Sequence, residues 1–218
     1  MKKLFLSSYF AGAAKLFPYF AGGCSGKKAV FIPTASLREK MTFFVGADLK
    51  ALRKLGLIVN ELEVSSASRD EIADKISNAD YVFVAGGNTF FLLQELRRSG
   101  ADKLIAEHIN SGKPYIGSSA GSVVVSRNIE YLKYMDEPAA APDLNGDFAG
   151  LSVVDFCIVP HCANFPFKKP AAKIISEYSD MLDLRPISNN QAVTVDSGNV
   201  EIVTAESCKP PRKTNSQP

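Results

Sequence analysis

Histidine is scarce in this 218-residue chain: there are two, His108 and His161. Any chemistry that needs an imidazole near neutral pH therefore rests on one of two positions. Cysteine is used as sparingly. Cys24, Cys157, Cys162 and Cys208 lie at wide or irregular spacings, which excludes a zinc-ligand pattern and a dense disulfide framework and predicts a reduced, cytoplasmic setting. Excess charge of either sign is missing too. The 25 Lys and Arg against 23 Asp and Glu leave a net +2, dispersed along the chain, so neither nucleic acid nor a membrane is expected as a partner. No apolar run approaches the roughly 20 residues that span a bilayer. The opening residues 1–13 imitate a secretory signal, with two lysines, an apolar stretch and Ala11-Gly12-Ala13. Ser7-Ser8 interrupts that stretch, and a buried first strand is the expected reading. The Gly86-Gly87 pair is followed by neither Gly-Lys-Ser/Thr nor Gly-x-Gly-x-x-Gly, which argues against a phosphate-cradling loop. No metal or other cofactor is expected.

What is present is an ordinary globular balance, 46% hydrophobic and 22% charged, enough for one domain over residues 1–205 with a real core. The tail 206–218, with Pro210-Pro211 and polar residues, reads as disordered. Continuous apolar runs at 3–6, 28–32, 57–59, 81–84 and 153–159 read as strands buried on both faces. Amphipathic stretches alternate with them: 38–55, a segment opened by the capping box Ser68-x-x-Glu71, 89–99, 102–110, and 168–178 with a break at Pro170. Residues 191–195 and 200–204 alternate around a hairpin turn. The alternation predicts an α/β fold, a three-layer sandwich whose mostly parallel central sheet is flanked by helices, with its ligand site beyond the carboxyl ends of the strands. The irregular 128–150 is a long, candidate functional loop.

The stretch that organises the chain is Tyr115-Ile116-Gly117-Ser118-Ser119-Ala120-Gly121. It reads as strand, sharp turn and helix, with Ser119 at the tip of a nucleophile elbow at a strand carboxyl end. The Ala120 and Gly87 N–H groups are candidate oxyanion donors. A serine needs a base. His108 lies mid-helix, whereas His161 follows a strand end on the same edge as Ser119. Asp136, Glu137, Glu130 and Asp143, all on the long loop, are candidates to orient it.

The ordered motifs Gly86-Gly87-Asn88-Thr89-Phe90-x-Leu92-Leu93, Gly117-x-Ser119-Ala120-Gly121 and Pro160-His161-x-x-Asn164 resemble the peptidase E family of aspartyl dipeptidases, and the likeness extends to Ser188-Asn189-x-Gln191-Ala192-Val193. The resemblance implies a class I glutamine amidotransferase-like fold and a serine hydrolase that removes N-terminal aspartate from short peptides through an acyl-enzyme. It implies Ser119 as nucleophile, His161 as base, Gly87 and Ala120 as the oxyanion hole, and, from the Asp-x-Pro setting, Asp136 as the triad acid. It favours a homodimer. Candidate substrate-binding residues are Asn88, Thr89, Asn164, Lys168 and Lys169. The arginine that the family places after the histidine has no counterpart between Asn128 and Leu184. A cyanophycinase-like hydrolase and a catalytically silent small-ligand binding protein of the same fold are the alternatives.

Overall fold

The computed structural model describes residues 1–205. The expected disordered tail and Cys208 lie outside the described residues. In chain order the elements are β1 (Lys3–Ser7), α1 (Phe10–Ala13), α2 (Phe17–Ala21), β2 (Lys28–Ile32), α3 (Phe43–Lys54), β3 (Ile58–Glu61), α4 (Arg69–Ser77), β4 (Tyr81–Val84), α5 (Thr89–Ser99), α6 (Ala101–Asn110), β5 (Tyr115–Ser118) and α7 (Ala120–Val123). They are followed by β6 (Cys157–Val159), α8 (Lys168–Tyr178), β7 (Leu184–Pro186), β8 (Gln191–Asp196) and β9 (Asn199–Thr204).

Seven strands form one sheet in the order β3-β2-β4-β5-β1-β8-β9. The first five run parallel, and β8 and β9 close one side antiparallel. Side chains alternate across each strand, and the central strands are apolar on both faces for that reason. Leu4 and Leu6, Val30 and Ile32, Val82 and Val84 enter one cluster, packed by α4, α5, α6 and α8. Phe5, Ala29, Phe31, Tyr81 and Phe83 enter the other, under α1, α2 and α3. The second face is an aromatic slab: Phe31 stacks on Phe83 at 4.9 Å, and Phe10 meets Phe83 edge-on at 5.1 Å. Three layers result, as the alternation of apolar runs and amphipathic stretches predicts.

Local differences from the sequence reading have simple causes. The apolar run 153–159 gives only a three-residue strand, β6, which pairs with β7 in a separate two-stranded sheet. Val153, Val154 and Phe156 are buried without being in the ladder, so their apolarity reflects packing. Pro170 does not break α8, because it stands in the first turn, where its missing N–H had no intrahelical partner. Of the stretch 38–55 only Phe43–Lys54 is helical, as α3, and Arg38 ends a 3-10 turn, Thr34–Arg38, that precedes it. Ser68 caps α4 as expected, accepting the Glu71 N–H at 3.2 Å. The three cysteines within the described residues are free. No helix of the described residues is long and apolar enough to cross a membrane.

One buried charge stands out. Asp48, on α3, is fully buried, accepts the Ala11 N–H at 2.9 Å, and leaves Oδ2 without a partner. Burial pushes its carboxyl up to about 7, although hydrogen bonds from Ser118 and Ala11 work the other way. A carboxyl raised in the folded state binds its proton more tightly there than in the unfolded chain, so its contribution is present at low pH and is lost as pH rises from about 4 to about 7. Replacing Asp48 by Asn removes that loss. Urea denaturation at pH 5 and pH 8 should show the stability of Asp48→Asn gaining on wild type between the two; a constant difference would mean that Asp48 is ionised throughout.

Candidate active site

Ser119 has φ 49° and ψ −111°, a left-handed conformation that is unfavourable for any residue with a Cβ. It is held there by close backbone approaches on both sides. A Cβ on Gly121 would lie 2.1 Å from Val84 O, and one on Gly117 would lie 2.7 Å from the backbone of Gly121 and Ser122. Only glycine lets α7 sit so close to β4 and β5. The Ser119 N–H donates to Ser7 O at 3.0 Å, and Ser122 Oγ donates to the same carbonyl at 2.7 Å. These contacts tie the elbow to β1. The helix after it, α7, is a single turn of four residues.

Ser119 Oγ lies 2.8 Å from His161 Nε2. On the other side of the ring, His161 Nδ1 lies 2.7 Å from Asn189 Oδ1. An amide oxygen can only accept, so Nδ1 carries the ring proton and Nε2 turns its lone pair on the serine hydroxyl. Burial lowers the imidazole below the ordinary histidine range, opposed by the hydrogen bond to Asn189. The His161 backbone is itself left-handed, φ 58°. It is braced by Ser8, whose Oγ accepts the His161 N–H at 2.7 Å and donates to Asn189 Oδ1 at 3.0 Å. Phe167 stacks on the imidazole at 4.8 Å. A hydroxyl facing an unprotonated imidazole nitrogen in this way can lose its proton as it attacks a carbonyl carbon.

The expectation that Asp136 orients the histidine is corrected here. The Asp136 carboxylate accepts through Oδ2 from the Thr89 N–H at 2.8 Å and from Thr89 Oγ1. It stands at the start of α5, and the group on the imidazole is Asn189. Burial pushes Asp136 up to about 6; the Thr89 hydrogen bonds oppose the shift and the nearby Glu39 charge adds to it. Asn88 caps α5 by accepting the Phe91 N–H at 2.9 Å and fastens the long loop by donating to Glu137 O at 3.1 Å. Asn164 does not line the cleft. Its Oδ1 accepts the Asn189 N–H at 2.9 Å, so it supports the supporter. Lys168 and Lys169 are exposed on the first turn of α8 and do not line the cleft either. His108 is buried against Pro114 O at 3.1 Å, far from this edge. The Gly87 and Ala120 N–H groups donate to no protein acceptor among the described residues and flank Ser119 as two free donors suited to a developing oxyanion. No group of side chains that could hold a metal ion is present among the described residues.

These residues share a cleft of about 450 Å³, toward the lower end of small-molecule sites at roughly 300–1,000 Å³. Its mouth is apolar: Phe43 and Phe165 are 72% and 95% exposed there.

Comparison with known proteins points the same way. The model of peptidase family S51 matches residues 4–203. An uncharacterized peptidase of Listeria innocua is 51% identical over 195 residues, 89% of this chain and 93% of that protein. The peptidase E of a Shewanella species is 33% identical over 141 residues, 65% of this chain and 56% of that protein. A crystal structure of a protein provisionally assigned as a peptidase E, from Listeria monocytogenes, superposes with a TM-score of 0.90 at 46% identity, covering 94% of this chain and all of that one.

The neutral amide on His161 has a measurable signature. A fluorophosphonate should label Ser119, and labelling should vanish in Ser119→Ala. Because the imidazole is lowered, the labelling rate of wild type should fall off only at a pH below the ordinary histidine value of about 6.5. In Asn189→Asp a carboxylate takes over the hydrogen bond and favours the imidazolium, so the acid limb should move to higher pH. An unmoved limb would show that residue 189 does not govern the imidazole.

Proposed function

The chain belongs to peptidase family S51 and is a serine peptidase, and on that premise we propose that it is an exopeptidase of short peptides, acting through an acyl-enzyme. Ser119 is the nucleophile, and His161 takes its proton and returns it to the leaving amine. Asn189 holds the imidazole in the productive tautomer, and Gly87 and Ala120 donate to the oxyanion. The observation that carries this reading is the unbroken relay Ser119–His161–Asn189, with both hydrogen bonds at 2.7–2.8 Å. Such alignment speaks against a silent binding protein with a displaced triad.

Exopeptidase action is supported by the charge at the acyl side of the cleft. Asp136 uses only Oδ2 on Thr89, and Glu39 lies close enough to raise it further. Two carboxylates crowded in a cleft destabilise one another and are relieved by a cation. The α-ammonium of a peptide is that cation, so Asp136 becomes the anchor that sets the cut one residue from the amino terminus. The size of the cleft suits a di- or tripeptide and leaves little room for a polymer such as cyanophycin. Dipeptides with N-terminal aspartate are the substrates to try first.

Ser119-dependent hydrolysis of aspartyl dipeptides tests the reading. N-acetylation should abolish cleavage by removing the charge that Asp136 holds. For the free peptide, KM should rise as pH falls through about 6, because protonation of Asp136 removes its negative charge. Equal cleavage of acetylated and free peptides would refute the ammonium anchor while leaving the serine chemistry intact.

A further inference from the structure

The cleft wall carries three carboxylates, Glu39, Asp136 and Glu137, and one side chain with a permanent positive charge, Arg38. Five other arginines each face a carboxylate: Arg53 meets Glu61, Arg97 meets Asp147, Arg98 meets Glu95, Arg127 meets Asp155 and Arg185 meets Asp183. Arg38 has no such partner among the described residues. Its guanidinium lies over the Phe91 ring, 4.7 Å from the centroid. The ring holds the cation by its quadrupole without occupying its N–H donors, and a guanidinium with its donors unengaged can receive a carboxylate through two parallel hydrogen bonds.

Its place along the sheet edge says which part of a peptide it meets. The strand order β2-β4-β5-β1-β8 lines up the groups that follow or precede those strands. Arg38 ends the 3-10 turn after β2, Gly87 follows β4, Ser119 follows β5, Ser8 follows β1, and Asn189 precedes β8. The turn bearing Arg38 is locked on the oxyanion loop. Ala35 O accepts the Asn88 N–H at 3.0 Å, and a Cβ on Gly87 would lie 2.2 Å from Ala35 O. His161 approaches Ser119 from the opposite flank, braced by Ser8 and Asn189. A leaving amine takes its proton from the histidine and so departs on the β1 side. The acyl residue then extends over Gly87 toward β2, with its side chain facing Arg38.

We infer that Arg38 is the specificity-determining residue that receives a side-chain carboxylate on the amino-terminal residue of the peptide. The inference rests on the exopeptidase reading above. It gives the acyl subsite two opposite charges, Asp136 for the α-ammonium and Arg38 for the acidic side chain. A neutral amide in place of that carboxylate loses the charge-assisted pair. Arg38 is exposed, so replacing it leaves the core untouched.

The test couples turnover with binding. kcat/KM is measured on Asp-Leu, Asn-Leu and Asp-Leu amide with wild type, Arg38→Met and Arg38→Lys. Calorimetry reads binding of the same peptides to Ser119→Ala and to Ser119→Ala combined with Arg38→Met. The preference of wild type for Asp-Leu over Asn-Leu should fall by roughly 10- to 100-fold in Arg38→Met, the range for a lost charged hydrogen-bond pair. Arg38→Lys should recover part of it, and amidation should not change the pattern. An equal loss on all three peptides, a loss that follows the terminal carboxylate, or no loss would overturn the assignment. Absence of Ser119-dependent turnover on every peptide would overturn the exopeptidase reading alone, because calorimetry still reports whether Arg38 separates Asp-Leu from Asn-Leu. No binding of Asp-Leu would overturn both.

Discussion

Everything at the site depends on the backbone of one residue being held where it does not want to be. Ser119 is left-handed, and the cost of that conformation, of order 1–3 kcal/mol, is offset by packing that leaves the chain no alternative. The carbonyl of Val84 fills the space that a side chain on residue 121 would need, and the backbone at 121 and 122 does the same for residue 117. The elbow is thus wedged between two parallel strands and a single helical turn. That wedge presents the hydroxyl to His161 Nε2 at the sheet edge and leaves the adjacent Ala120 N–H with no protein acceptor among the described residues. The exposed hydroxyl at 119 and the unengaged N–H at 120 follow from one steric constraint.

The histidine is governed by a second, softer constraint. His161 arrives on an irregular segment with left-handed residues at 161 and 163, which by itself would not fix an imidazole to within a few tenths of an ångström. Ser8 supplies the precision by bonding both the backbone of His161 and the side chain of Asn189, and Asn164 adds a bond to the Asn189 backbone. Three polar side chains from three parts of the chain are needed because β6 stands outside the main sheet. The central sheet positions Ser119 directly, but it reaches His161 only through hydrogen bonds made at the ends of β1 and β8.

Which parts of this were legible in the sequence follows from how each feature is encoded. Strands buried on both faces announce themselves as unbroken apolar runs, so β2, β4 and the core of β1 could be read directly, and with them the layered fold. The elbow was legible because steric exclusion of every side chain but hydrogen leaves a glycine signature at 117 and 121. Two histidines made the choice of base a comparison of their settings. The orienting group was not legible in this way. A search for a carboxylate near the elbow finds Asp136 in its Asp-x-Pro setting, whereas Asn189 carries no charge and sits just before a hairpin. Its role comes from β8 pairing antiparallel with β1 so that Ser7 faces Ala192, a long-range register that no local pattern encodes. That Asn164 and the two lysines stand outside the cleft lining was illegible for the same reason: a position after a histidine in sequence says little about which wall of a cleft it faces.

The displacement of the carboxylate from the histidine to the acyl side changes the electrostatics of the whole site. With Asn189 behind it, the imidazole has no anion to stabilise its protonated form, and burial lowers it further. Such a base holds its proton less tightly than an ordinary histidine and gains less from the developing imidazolium as a serine attacks. Asp136 instead lines the cleft with Glu39, where burial, helped a little by the Glu39 charge, pushes its carboxyl up to about 6. A cation placed beside such groups binds more tightly than it would to a solvated carboxylate, because it offsets the burial that raises both of them. The carboxylate that the sequence offers to the imidazole thus lines the cleft wall instead, where a cationic group of a bound peptide would meet it.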